Sequence, residues 1–411
     1  MQPLTTNNRI QLLDIARGLA ILGILLINMT FFTTSLQAIQ FQLELWPGFW
    51  DRTVKSLLTF FVSGKFIAVF SFLFGYGMIL IKDGVARRNS QNQSKGRFAA
   101  IYSRRLFALV LFGLIHGLLI WYGDILLHYA LLGFILLLFH KCKPRTLLIW
   151  ASLLLLLVPG LMMLSGTSGS YELSPEMKSQ VLEWVAIEET VYSSGTWGEI
   201  QQLRMQNWNS SLLNQIIFYP QILGLFLLGA YFAKKKLFND LAGNRPKLLR
   251  IAVWTGGFGF LTALLPLLLK FTDLSDTGLA NQLEIIQYMI GQPLVGVFYI
   301  VLLGLLLQRK TWQRVLNPLA NVGRMAFTNY LLQSVICTLI FYSYGLGWFG
   351  KVGPAAASLL AIAIFALQLV LSSLWFRRFR IGPMEWLWRG ITYLSFPPLS
   401  ATRSAEKSTE S

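Results

Sequence analysis

His116 is the side chain of this sequence best suited to moving a proton. It sits in RRLFALVLFGLIHGLLIWYGD, eleven residues beyond Arg105 and so well inside an apolar run. A neutral imidazole, with an ordinary pKa near 6.5, can take a proton from a hydroxyl or amine at neutral pH. Gly113 and Gly117 flank it and leave room for another helix. The plainer reading is a buried histidine that hydrogen-bonds a carbonyl. Asp124 follows in WYGDIL, at a hairpin between two apolar runs. There it could bind or orient a polar acceptor, or simply cap a helix. His128 lies one turn deeper and is a second candidate for the same pocket. His140, beside Lys141, reads as a partner for a helix C-terminal dipole.

Other polar residues fall where lipid should not tolerate them, which makes each a functional candidate. The first apolar run reads LLDIARGLAILGILLINM. Asp14 and Arg17 are one turn apart and can pair near one end. Asn28 lies eleven residues past Arg17, about 16 Å along a helix and on nearly the same face. That face either lines a polar path or serves as a headgroup anchor with interhelical glue. Lys65, in SGKFIAVFSFLFGYG, sits at a span boundary, where it either snorkels or meets a substrate. In NPLANVGRMAFTNYLLQS, Arg324 opens a helix, and Asn329, Tyr330 and Gln333 follow within it. With Arg17, Arg104 and Arg105, this group could hold an anionic headgroup at one face of a membrane. The alternative is an interfacial arginine with ordinary interhelical hydrogen bonds. No metal-binding pattern stands out.

These residues need a scaffold, and composition says which kind. Of 411 residues, 55% are hydrophobic and 13% charged, about half the charged fraction of soluble domains. Runs of about 20 apolar residues predict an all-α polytopic membrane protein with ten spans. They fall near 12–33, 66–82, 105–122, 125–140, 146–164, 211–233, 248–269, 283–307, 322–343 and 354–376, with the second and fourth short. A segment from Arg52 to Val62 is expected to lie at the interface until Ser63 and Gly64 break it. The net charge of +17 comes from bases clustered in alternate linkers, the bias of cytoplasmic loops and not a nucleic-acid stripe. That pattern puts both termini in the cytoplasm and the acidic loop 165–210 outside. Ser174 and Pro175 predict a helix start within that loop. Residues 1–395 read as one membrane domain and 396–411 as a disordered tail. Cys142 and Cys337 should not meet.

The stretches LDIARGLAILGILLINM, GKFIAVFSFLFGYG, HGLLIWYGDILLHYALLG, VGRMAFTNYLLQS with FYSYGLGWFG, and GPMEWLWRGITY resemble the YeiB-like family of bacterial inner-membrane proteins. The last two belong to a C-terminal family region of unknown function, here about 230–395. The first helix is also similar to that of membrane acyltransferases, namely the acyltransferase 3 family and the lysosomal heparan-α-glucosaminide N-acetyltransferase. That resemblance implies transfer of an acyl group from cytoplasmic acyl-CoA to a hydroxyl or amine on the opposite side. The acyltransferase 3 pattern has an arginine, matched by Arg17, and a catalytic histidine eleven positions on, where this chain has Asn28. An acyltransferase of this sequence would therefore draw its base, His116, from another helix.

Three functions follow. In an acyltransferase, Asp14, Arg17, Arg104, Arg105, Arg324 and Asn329 would hold acyl-CoA. His116 and Asp124 would act on a cell-envelope acceptor near Asn28, Lys65, His128, Tyr330 and Gln333. A transporter or exporter is the second reading, although carboxylates such as Asp14, Asp124 and Glu284 lie near span ends instead of the midplane. A non-catalytic membrane protein is the third.

Overall fold

The computed structural model describes residues 6–88, 97–164, 173–269 and 278–400. Apolar helix formers dominate the sequence, and the described elements are helices and turns with one isolated β-bridge between Phe379 and Ser400. α1 (Thr6–Thr33) is followed by the short α2 (Leu36–Gln40), α3 (Phe49–Phe61) and α4 (Lys65–Arg88). α5 (Arg97–Ile115) runs on into a π-helical turn, His116–Ile120, and α6 (Leu126–Leu138) and α7 (Pro144–Leu164) follow. Next come α8 (Pro175–Ser194) and α9 (Trp197–Gln215), which leads through a 3₁₀ turn into α10 (Tyr219–Lys234). α11 (Arg245–Leu269) precedes α12 (Gly278–Ile286), which passes through a second π turn into α13 (Gln292–Leu306). α14 (Lys310–Arg324), α15 (Ala326–Phe341), α16 (Pro354–Arg378) and α17 (Pro383–Tyr393) are the remaining described helices.

Among the described residues, eight helical stretches are long and apolar enough to cross a bilayer, and α6 and α15 are shorter apolar helices. The protein is a multi-pass, all-α membrane protein. Many outward-facing residues are bare leucines, such as Leu164 and Leu359 at 86% and 69% exposure. In water such a surface would aggregate, whereas in a bilayer it is the lipid contact.

Several boundaries differ from those expected. The second span is not short but runs through all of α4. The loop before α10 holds two helices, α8 and α9, each carrying its own cap. Ser174 accepts from Met177 N at 3.2 Å, and Thr196 and Glu199 form a capping box. The ninth apolar run breaks at Met325 (φ −110°, ψ 28°) into amphipathic α14 and apolar α15. The cause lies far along the chain. The Glu385 carboxylate on α17 accepts the N–H groups of Phe327 and Thr328 at 2.8 and 3.1 Å and the Thr328 hydroxyl at 2.6 Å. It supplies the orphan donors of a new helix start with an acceptor. Burial raises the Glu385 pKa above the usual glutamate range, while those donors pull it back. After α3, Gly64 takes the left-handed conformation (φ +71°) that ends the interfacial helix.

Hydrogen bonds sort the linkers into two faces. On one, Lys82 and Lys234 both donate to the carbonyl of His140, at 2.7 and 3.1 Å. Gln308 donates to Leu241 O, Arg104 to Thr392 O, and Arg324 to Arg380 O. The described basic linkers are thereby tied together as a basic face. On the other, Gly350 N meets Thr33 O, Ser343 N meets Tyr192 O, and the buried Glu188 accepts from Leu36 N at 2.8 Å. Burial raises the Glu188 pKa against the pull of its hydrogen bonds.

α1 runs between these faces and packs on α4, α14, α15 and α16. Its crossing with α14 is backbone on backbone. A Cβ on Gly323 would sit 1.8 Å from Asp14 O, and one on Gly18 would sit 2.0 Å from Leu319 O. Close approach of small residues is how helices pack in lipid. Gly323→Ala should therefore cost about 1–3 kcal/mol or more and lower the melting temperature in detergent. Gly77→Ala, with nothing within 4 Å, should be neutral or stabilising. Equal melting temperatures for the two variants would refute this packing.

Candidate functional site

The π turn at His116–Ile120 closes with Trp121 N donating to His116 O at 2.8 Å. The extra residue per turn re-aims the ring, a device that recurs at functional sites. His116 Nδ1 lies 2.8 Å from Asp124 Oδ1, and His116 Nε2 lies 2.9 Å from Ser334 Oγ on α15. All three residues are buried, at 0%, 1% and 1% exposure. Asp124 Oδ2 also accepts the Leu127 amide at 2.8 Å, so this carboxylate caps α6 as well as holding the imidazole.

The order of donors follows from the chemistry of the groups. A carboxylate only accepts, so the Nδ1 proton is donated to Asp124 and Nε2 presents its lone pair. The Ser334 hydroxyl then donates to Nε2. The result is an Asp–His–Ser line spanning the α5–α6 hairpin and α15. Ser334 is about 12 Å along α15 from its start, roughly midway through that helix. The flanking glycines make the approach possible. A Cβ on Gly113 would sit 2.5 Å from Leu127 N, and one on Gly117 would sit 2.9 Å from Trp208 Nε1. The Tyr330 and Trp121 rings lie 5.1 and 6.2 Å from the imidazole.

The remaining candidates fall into separate groups. Tyr330 packs on the ring. His128 Nδ1 pairs with the Tyr219 hydroxyl at 2.7 Å. Lys65 is buried and donates to Thr59 O at 2.6 Å. Asn28 is partly exposed on α1. Among the described residues, neither Asn28, Lys65 nor His128 shares a hydrogen bond with the relay. Asn329 and Gln333 belong to an α15–α16 ladder. Asn329 donates to Val322 O and Ser372 Oγ, Gln333 donates to Gln368 Oε1, and Gln368 donates back to Asn329 O. Both amides are buried in this tie.

At the basic face, Arg17 pairs with Asp14 at 2.7 Å. The charges of Arg324 and Arg389 also bear on Asp14, and those of Arg17 and Arg389 bear on Arg105. Three arginines, Arg17, Arg324 and Arg389, thus share one carboxylate, with Arg105 beside them. Arg105 lies 3.5 Å over the Trp388 ring and Arg324 lies 3.7 Å over Phe376, which fixes their planes and leaves edge donors for an anion. Arg324 and Arg389 are exposed.

Sequence reasoning missed Ser334 and Arg389. Ser334 is one turn past Tyr330, and that spacing was the only signal for it. Arg389 carried none, because α17 approaches α1 only in the folded bundle. Two described cavities lie elsewhere. One is lined by Met29, Thr30, Thr33, Leu58 and Pro354. The other, about 260 Å³, opens on the basic side beside Arg245, Arg309 and Trp312. Among the described residues, no three His, Cys, Asp or Glu side chains gather to hold a metal ion. Cys142 and Cys337 are unpaired.

The donor order is open to measurement. In ¹⁵N-histidine-labelled protein at neutral pH, one ring is expected to carry its proton on Nδ1 and to lose that signature in His116→Gln. An Nε2–H tautomer assigned to His116 would reverse the donor order.

The chain has full-length relatives. It is 41% identical to the uncharacterized protein YxaH of Bacillus subtilis (strain 168), over 97% of this chain and 98% of that protein. It is 30% identical to the uncharacterized protein YeiB of Escherichia coli (strain K12), over 94% of this chain and 97% of that one. An uncharacterized 39.9 kDa protein from the amylase 3′ region of Bacillus acidopullulyticus is 27% identical over 99% of this chain. Residues 232–395, which include Ser334, Glu385 and Arg389, match the family described as "Protein of unknown function (DUF418)". With identity of this extent running from end to end, the chain belongs to the YeiB-like, DUF418-containing family of bacterial proteins.

Proposed function

We propose that this protein is a transmembrane acyltransferase of the bacterial inner membrane, using cytoplasmic acyl-CoA and a cell-envelope acceptor. The observation that carries this reading is the buried Asp124–His116–Ser334 line, an arrangement suited to acyl transfer. The concentration of bases on one face supports placing that face and both termini in the cytoplasm. Arg17, Arg324 and Arg389 would pair with the CoA phosphates there. Ser334 lies across the break at Met325 from Arg324, about 12 Å along α15.

In the proposed reaction, Ser334 Oγ attacks the thioester carbonyl while its proton passes to His116 Nε2. The C–S bond breaks, the CoA sulfur takes that proton from the imidazolium, and the acyl group stays on Ser334 as an ester. An acceptor hydroxyl or amine attacks the ester and gives its proton to His116. The imidazolium returns the proton to Ser334 Oγ as the ester C–O bond breaks. Asp124 holds the Nδ1 proton and stabilises the imidazolium throughout. In this scheme the base comes from α5, which accommodates an asparagine at position 28.

The complete burial of the relay favours a second reading. All three groups have protein partners and neither described cavity reaches them, which suits a carrier in an occluded state or a purely structural tie between α5 and α15.

The readings separate in one experiment. Purified full-length protein is given radiolabelled acetyl-CoA, and free CoA and label on the protein are followed. Transfer predicts label on Ser334, and its loss by about 10²–10⁴-fold in Ser334→Ala, His116→Gln and Asp124→Asn, with Asp124→Asn retaining the helix cap. Arg389→Gln should raise KM for acetyl-CoA with little change in kcat. No CoA release together with solute flux in proteoliposomes would establish the carrier instead.

A further inference from the structure

Arg204, on α9, is fully buried at 0% exposure, with no carboxylate within ion-pairing distance among the described residues. Its Nη1 donates to Leu119 O at 2.7 Å and to Gln201 Oε1 at 2.8 Å. That nitrogen caps the carbonyl end of the π turn, as does Gln201 Nε2 at Leu118 O, 2.7 Å away. The other two guanidinium nitrogens, Nε and Nη2, are buried without a hydrogen-bond partner. The Tyr344 hydroxyl lies close enough to interact with Arg204, and the guanidinium carbon lies 5.3 Å from the Trp197 ring, but neither a phenol nor an indole brings a negative charge. A helix could be capped by a neutral amide, so capping does not explain why a full charge is buried here. Leaving such a charge without a counter-charge is strongly unfavourable.

The surroundings repeat the same signature. Trp208 is one turn further along α9, on the face shared with Arg204. Its indole N–H lies against Gly117 and has no acceptor. The Trp121 indole N–H is likewise buried without an acceptor. Both indoles belong to the packed cluster that closes this end of the bundle. A guanidinium without a carboxylate and the idle Trp208 N–H therefore lie along the π turn, from Leu119 to Gly117, the residue next to His116, and Trp121, where the turn ends, carries a second idle N–H. A site whose idle nitrogens are all donors, beside one positive charge, is complementary to an oxyanion, whose oxygens accept from a guanidinium fork and an indole at once.

We propose that Arg204 and Trp208, with Trp121, form a binding site for a phosphate or carboxylate group that approaches from the face opposite the basic linkers. Insofar as this names the acceptor as an anionic molecule, it rests on the transfer reading. The binding itself does not.

The test uses the full-length protein in detergent, with melting temperature and tryptophan fluorescence as readouts. Inorganic phosphate and acetate are titrated against chloride at matched ionic strength. In parallel, the protein is placed in phosphatidylcholine nanodiscs with and without phosphatidylglycerol. A saturable rise in melting temperature with phosphate or acetate identifies a water-borne anion, and a rise only with phosphatidylglycerol identifies a lipid headgroup. Either supports the site if Arg204→Met abolishes it and Trp208→Phe, which keeps the ring and removes the donor, weakens it several-fold. Arg204→Met should also match or exceed the wild type in melting temperature when no anion is present. The proposal is overturned if none of the three probes differs from its control, or if Arg204→Met keeps the response. Anion binding without CoA turnover would retain the site and remove the transfer reading. Turnover without any anion response would do the reverse.

Discussion

Lipid offers no hydrogen bonds, so every polar group placed at membrane depth must find its partner within the chain. The Asp124–His116–Ser334 line shows what that requires. It needs a π turn to aim the ring, two glycines to bring the α5–α6 hairpin back on itself, and α15 at the right height to meet Nε2. The same demand explains the amide ladder between α15 and α16 and the lysines that converge on the His140 carbonyl. Apolar packing fills the bundle, but pairing of polar groups sets its register.

The two faces solve the problem differently. The basic face ties its linkers by side chains that reach backbone carbonyls, and two of its arginines, Arg105 and Arg324, lie over aromatic rings. The opposite face is roofed by α8 and α9, whose buried Glu188, Tyr192 and Arg204 sit among aromatic rings. The first is a surface on which an anion can land from water. The second is a closed roof over the relay, and its stored positive charge is the feature that packing leaves unexplained.

Much of this architecture was legible in the residues. Spans announce themselves by apolar length, Ser174 by its cap position, Gly64 by its freedom to take positive φ, and His116 with Asp124 by their placement in greasy surroundings. The misses share one physical cause. The break at Met325 depends on Glu385, sixty residues later, and Ser334 looks like any hydroxyl in a membrane helix until a ring arrives beside it. Arg389 and Arg204 gain meaning only from elements remote in sequence. Local pattern reveals which segments must be helices, while partners across the bundle reveal what their polar side chains are for.

α17 holds α15 through Glu385 and α5 through Trp388, whose indole donates to Arg105 O at 2.9 Å. It also follows every other described helix in chain order. Until it emerges from the ribosome, the first amides of α15 lack their acceptor and Arg105 lacks its ring. Assembly of this face must therefore wait for synthesis of α17, which makes the arrival of that helix the event that closes the bundle. A protein truncated only a few dozen residues early would possess every spanning helix and still lack its clasp.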